Sequence, residues 1–286
     1  LALWMALQPD FIGSHFEPIQ HIYNYRFNQG QIMQPVCLVI GAGAGIGGNV
    51  GKRFAAEGYH AVLCRRSDQV GLDRLVTAIR EEGGEASGII LNAVQPDTIE
   101  KMVENIERDT GPIEVVIYNL GAQIGNRALA DTSYKAFEMG WRIATQGLFR
   151  LASSVCPLME ARGQGTIIVT SATAAVRGNA GQHSHAAAMG GRRMLCQSLN
   201  AEFGPKGIHV AHVLIDGAVD APDTLGKMLG PEQFQALRET KGLEKDGLML
   251  PEKIADTYWH LAQQHRSTWS HEIDLRSFTD LAWWNH

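Results

Sequence analysis

The chain has 286 residues, 45% of them hydrophobic and 19% charged, with a formal net charge of -5. That balance excludes a collagen-like or disordered chain and gives no electrostatic footprint for nucleic acid. No run approaches the roughly twenty apolar residues of a membrane span, and Cys37, Cys64, Cys156 and Cys196 are scattered without a Cys-x-x-Cys pair, which suits a reducing cytoplasm.

Residues 1–32 carry Trp4, Phe11, Phe16, Tyr23, Tyr25 and Phe27 but neither a basic start nor a long apolar core, so a signal peptide is not expected. The segment begins without Met, and Met33 stands just before the first strand-like run. It is read as an N-terminal extension, either added upstream of the domain or an arm whose aromatic rings pack on this or a neighbouring subunit. Residues 33–286 are read as a single domain. Strand-like runs follow at Val36–Ile40, His60–Cys64, Ala86–Leu91, Glu114–Tyr118, Thr166–Thr170, Ile208–Ile215 and Glu272–Leu275. Helical stretches lie between them at Gln69–Glu82, Pro96–Asp109, Tyr134–Arg162 and Ala186–Phe203, closed by Gly83-Gly84, Gly111-Pro112, Gly163 and Gly204-Pro205. Alternating strand and helix predicts an α/β fold, a doubly wound, Rossmann-like three-layer sandwich around a parallel sheet of about seven strands. In such sheets ligands collect beyond the carboxyl ends of the strands, here the Gly41 turn, Arg65, Asn92, Asn119, Ser171 and Asp216.

The run from Val39 to Gly47 (Val-Ile-Gly-Ala-Gly-Ala-Gly-Ile-Gly) is the strongest single signal. An apolar strand feeds a glycine-rich turn that opens a helix to about Glu57. Gly41, Ala44, Gly45, Ile46 and Gly47 then present free helix N–H groups and a positive dipole end to a pyrophosphate. At the tip of the second strand stand Arg65, Arg66 and Ser67 rather than an acidic residue, a pattern for binding the extra 2′-phosphate of NADP(H) in preference to NAD(H).

From Pro35 to about Phe278 the chain resembles the short-chain dehydrogenase/reductase superfamily. Its Thr-Gly-x-x-x-Gly-Ile-Gly motif appears with Ile40 replacing Thr, its Asn-Asn-Ala-Gly as Tyr118-Asn119-Leu120-Gly121, and its exit from the catalytic helix as Ala201 to Ile208. The resemblance implies that Asn92 and Ala93 touch the adenine, that Asn119 and Gly121 flank its ribose, that Gly217 keeps the tight turn after the sixth strand, and that the Val219 backbone meets the nicotinamide carboxamide. It also implies a homodimer or homotetramer built through the stretches Tyr134–Arg162 and Ala186–Phe203 and the last strand. The family's catalytic Tyr, Lys, Ser and Asn positions fall on His185, Met189, Ala172 and Ala144, so this is a divergent member lacking all four residues.

His185 exchanges protons near neutral pH without a helper, its reference pKa being about 6.5. Ser171 or Thr173 on either side of Ala172 supplies a hydroxyl to polarise a carbonyl. No metal is expected: residues two apart on a helix, such as His183 and His185, point to nearly opposite sides. His209 and His212 have opposite strand parity and do not pair. Asp216 replaces the family's Pro and puts a carboxylate beside the nicotinamide ring. The stretch from Ala221 to Leu250, with Leu225, Met228, Leu229, Phe234 and Leu237, reads as a lid over an apolar pocket.

These observations predict an NADP(H)-dependent oxidoreductase (acting on CH–OH groups) that works on a small apolar carbonyl or alcohol, without nucleic-acid or membrane partners. Two alternatives stand beside it: a silent nucleotide- or partner-binding scaffold, and a lyase or isomerase using His185 as base.

Overall fold

Val36–Ile40 (β1) is buried at all five positions, as a strand covered on both faces must be. Val36, Leu38 and Ile40 enter one apolar cluster, while Cys37 and Val39 enter the other. This is the period-two alternation of a strand. The computed structural model describes residues 27–28, 31–121, 126–242 and 244–285. Apart from a short antiparallel ladder between Phe27–Asn28 and Gln31–Ile32, the N-terminal extension, and with it the choice between an added segment and an aromatic arm, lies outside the described residues.

After β1 come α1 (Ile46–Ala56), β2 (His60–Arg65), α2 (Gln69–Glu81), β3 (Glu85–Ile90), α3 (Thr98–Asp109) and β4 (Ile113–Tyr118). Then follow α4 (Tyr134–Trp141), α5 (Gly147–Arg162), β5 (Gly165–Ala172), α6 (His183–Phe203) and β6 (Ile208–Ile215). The chain closes with α7 (Lys227–Leu229), α8 (Pro231–Lys241), α9 (Pro251–Ala262) and β7 (Glu272–Leu275). The sheet runs β3-β2-β1-β4-β5-β6-β7 with every neighbouring pair parallel, the seven-stranded doubly wound arrangement expected.

Helices α3, α5 and α6 cover one face through Ile99, Met102, Val103, Leu148, Val155 and Cys196. Helices α1, α2 and α9 cover the other through Val50, Phe54, Leu72, Ile79, Ile254 and Tyr258. Each such aliphatic or aromatic side chain contributes about 1.5–3 kcal/mol of burial. The four cysteines are free and buried within these layers.

Two elements depart from expectation. The helix foreseen over Tyr134–Arg162 is interrupted by a π-helical segment at Arg142–Gln146, and α6 begins at His183 rather than Ala186. Strand order reverses on either side of β1, so the crevice beyond β1 and β4 is the switch point at which ligands of such sheets bind.

Candidate active site

The glycine-rich turn is shaped by contacts that leave no room for a side chain. Gly41 has φ +100°, and a Cβ there would lie 2.6 Å from the Asn119 carbonyl oxygen. A Cβ on Gly47 would lie 2.3 Å from the Gly41 carbonyl oxygen. The turn hangs between strands: Gly41 N and Ala42 N donate to the Cys64 carbonyl at 3.0 and 2.9 Å, and Asn119 Nδ2 donates to Gly41 O at 2.9 Å. Gly45 caps α1 and no side chain caps that helix end; Gly48 N donates to Gly43 O at 2.9 Å, and the Ile46 and Gly47 amides ahead of it are offered to a ligand. Gly41, Gly45, Ile46 and Gly47 line a cavity of about 300 Å³ at the carboxyl ends of the strands. A phosphate-bearing dinucleotide fits this turn on that ground.

The ribose edge differs from the sequence picture of two available guanidinium groups. Arg65 Nη2 is paired with Asp223 Oδ2 at 3.0 Å and with Asp68 Oδ2 at 3.1 Å. Ala44 N donates to the same Asp223 oxygen at 3.2 Å. Arg66 and Ser67 face solvent. Asn92 Oδ1 accepts from Val94 N and its carbonyl from Thr98, while Ala93 is buried and its carbonyl accepts from Arg150 Nη1. None of Ala44, Arg65, Arg66, Ser67, Asn92 and Ala93 lines the cavity, whereas Asn119 and Gly121 do.

On the opposite wall, β5 ends in Thr170-Ser171-Ala172 and α6 begins beside it. Ser171 and His185 both line the cavity, as do Met189 and Val219. Ser171 is buried, its Oγ 3.9 Å from Met189 Sδ. Thr173 instead starts a 3-10 turn, its carbonyl accepting from Val176 N and Arg177 N, and it does not line the cavity. Of the Ser171 and Thr173 hydroxyls, only that of Ser171 belongs to a residue lining the same cavity as His185. Ser184 points away and donates to the Ala136 and Phe137 carbonyls, and Gly140 admits that contact because a Cβ there would lie 2.4 Å from Ser184 Oγ. Among the described residues no group of three or more His, Cys, Asp or Glu side chains forms a metal site.

Arg192 is the residue that sequence reasoning missed. It is 1% exposed, lines the cavity, and donates to three backbone carbonyls: Ala144 at 3.0 Å, Thr170 at 2.7 Å and Leu120 at 2.7 Å. Its guanidinium also lies 5.2 Å from the centroid of the Tyr118 ring. Burial lowers its pKa from the usual arginine value. A signal for it was present: positions 185, 189 and 192 share one helix face. The π-helical segment supplies its partner, because the irregular turn frees carbonyls from the i→i−4 ladder. Tyr118 Oη donates to Ile143 O, and burial pushes the Tyr118 phenol up to about 12.

Asp216 is corrected outright. Its Oδ2 accepts from Arg276 Nε at 3.2 Å and Trp283 N at 2.9 Å, so the carboxylate is held by the C-terminal segment and is not a wall of the cavity. Gly217 is exposed and likewise stands outside that wall. The lid region is helical, through a π turn at Pro222–Gly226, α7 and α8, and is pinned by Arg238–Asp220 at 2.7 Å and Lys241–Asp280 at 3.1 Å.

The sequence pattern of a family described as short chain dehydrogenase matches residues 35–224. The short-chain reductase protein NovJ of Streptomyces niveus is 31% identical over 233 residues, covering 80% of this chain and 87% of its own. A crystal structure of a short-chain dehydrogenase from Rhodopseudomonas palustris is 32% identical with TM-score 0.71, covering 85% of this chain and 99% of that one. A metagenomic short-chain oxidoreductase solved in complex with NADP is 21% identical with TM-score 0.68, covering 85% of this chain and 97% of that one.

Proposed function

Because this chain belongs to the short-chain dehydrogenase family, and is an oxidoreductase of that family, we propose that it uses NADP(H) to interconvert a carbonyl and an alcohol in a small, largely apolar molecule, with His185 exchanging the proton. The observation that carries this is the meeting of the glycine-rich turn, Ser171 and His185 in one cavity. Bound cofactor supplies or accepts the hydride. The first-turn amides of α1 hold the diphosphate, and Arg65 and Arg66 take the 2′-phosphate. Solved structures of the same fold hold NADP in one case and NADH in another, so the choice rests on these two arginines. Ser171 turns its hydroxyl from the Met189 thioether to the substrate oxygen, and a ring nitrogen of His185 gives that oxygen its proton or removes it. Arg192 provides a fixed positive charge in the wall, which stabilises negative charge developing on the oxygen. Self-association belongs to this proposal too, supported by the exposed Tyr134, Phe137, Trp141 and Phe149 along α4 and α5.

The test is consumption of NADPH against a panel of small ketones and aldehydes, by the wild-type chain and His185→Phe. Turnover by the wild type that falls about a hundredfold or more in the variant, with NADPH affinity kept, is the expected result. Tight NADPH binding without turnover of any carbonyl would return the protein to the silent-scaffold alternative.

A further inference from the structure

The Asp223 carboxylate occupies an anion seat. Its Oδ2 lies 3.2 Å from Ala44 N and 3.0 Å from Arg65 Nη2, and its Oδ1 lies 3.6 Å from Lys227 Nζ. The two groups of the seat come from the glycine-rich turn and the tip of β2, 179 and 158 residues away in sequence. The loop rides close on the turn: a Cβ on Gly45 would lie 2.8 Å from Ala221 Cβ, and one on Gly43 would lie 3.9 Å from Asp223 Oδ2. Burial pushes the Asp223 pKa up, but the Ala44 amide, Lys227 and Arg65 outweigh it and hold the carboxyl below the ordinary range. The group is therefore an anion at neutral pH.

We propose that Asp223 is a cofactor-discriminating residue, its carboxylate competing with a 2′-phosphate for the seat made by Ala44 N–H and Arg65. The proposal rests on the dinucleotide reading of the cavity. A nucleotide bearing a 2′-phosphate binds by displacing Asp223, since two anions within a few ångströms repel and share one set of donors. A nucleotide with a free 2′-hydroxyl leaves the carboxylate in place. Displacement also unlatches the Pro222–Gly226 turn, so the lid is released by one class of cofactor and not by the other.

Calorimetric titration of the full chain with adenosine 2′,5′-bisphosphate and with 5′-AMP tests this, on the wild type, Asp223→Asn and Asp223→Ala. Both variants should bind the bisphosphate about tenfold more tightly, with 5′-AMP affinity unchanged. In the wild type, the bisphosphate but not 5′-AMP should speed hydrogen exchange at the Thr224 and Gly226 amides, which donate to Ala221 O. An equal gain for both nucleotides, or a bisphosphate affinity the variants leave unchanged, would overturn the discriminating role. Failure of either nucleotide to bind any of the three proteins would instead overturn the dinucleotide reading beneath it.

Discussion

A guanidinium buried against carbonyls is a costly group to place and a costlier one to remove. Arg192 ties the ends of β4 and β5 to the π-helical segment through Leu120, Thr170 and Ala144. Removing the donor takes a hydrogen bond from all three oxygens, at about 1–3 kcal/mol for each group left unsatisfied. Arg192→Met is therefore expected to cost about 3 kcal/mol or more, read as a lowered urea midpoint, with Arg192→Lys recovering only part. A loss under about 1 kcal/mol would show that the three segments hold together without it. His185 and Ser171 were legible in the sequence because helix register and strand ends can be counted. The partners of Arg65 and Asp216 were not, since Asp223 and Arg276 lie 158 and 60 residues away and no local pattern announces an ion pair across such distances. The residues local to Arg65 and Asp216 therefore suggest an available guanidinium and a carboxylate beside the nicotinamide.

Among the elements, strands and most helices followed from apolar periodicity and glycine stops, whereas the interruption at Arg142–Gln146 did not. Nothing in Arg-Ile-Ala-Thr-Gln marks a π turn; its cause is tertiary. Tyr118 Oη and Arg192 Nε take the Ile143 and Ala144 carbonyls, and Thr145 Oγ1 donates to Ala188 O at 2.8 Å. At the position that the resemblance assigns to Asn, the Ala144 carbonyl accepts from the Arg192 guanidinium. The start of α6 at His183 has a similar source. Ser184 anchors that first turn on α4, which sets His185 at the cavity wall.

At the scale of the whole molecule the sheet buries imidazoles as well as hydrocarbon. His212 is fully buried on β6 with Nδ1 3.0 Å from Glu272 Oε2, and Glu272 is also held by Arg193 at 2.7 Å. Burial pushes His212 down to about 4, the nearby Glu272 opposing it. Burial also lowers His60 and His209. A histidine with a folded-state pKa below its unfolded value stabilises fully above the unfolded value, about 6.5, and loses that stability as pH falls toward the folded one. From His212 alone the span to about 4 corresponds to about 3 kcal/mol. Glu100 is held low by its hydrogen bond to Arg150, and Glu272 by that to Arg193; both lose stability at still lower pH. Glu114, raised by burial, runs the other way. Urea midpoints should fall between pH 6.5 and about 4.5, and His212→Asn should flatten that fall. Parallel profiles for the two proteins would remove His212 from the account. Topology and layering were readable from the alternation of elements; this charge pattern was not, because strand parity places His212 on a face without showing that Glu272 and Arg193 wait there.

Everything proposed for this cavity requires the glycine-rich turn to hold a nicotinamide dinucleotide with its ring facing His185. A crystal structure of the NADPH complex measures this directly. The diphosphate is expected on the amides at the start of α1 and the nicotinamide face turned to His185, with room for a carbonyl between them. A nicotinamide seated away from His185, with side chains filling the space between, would contradict it.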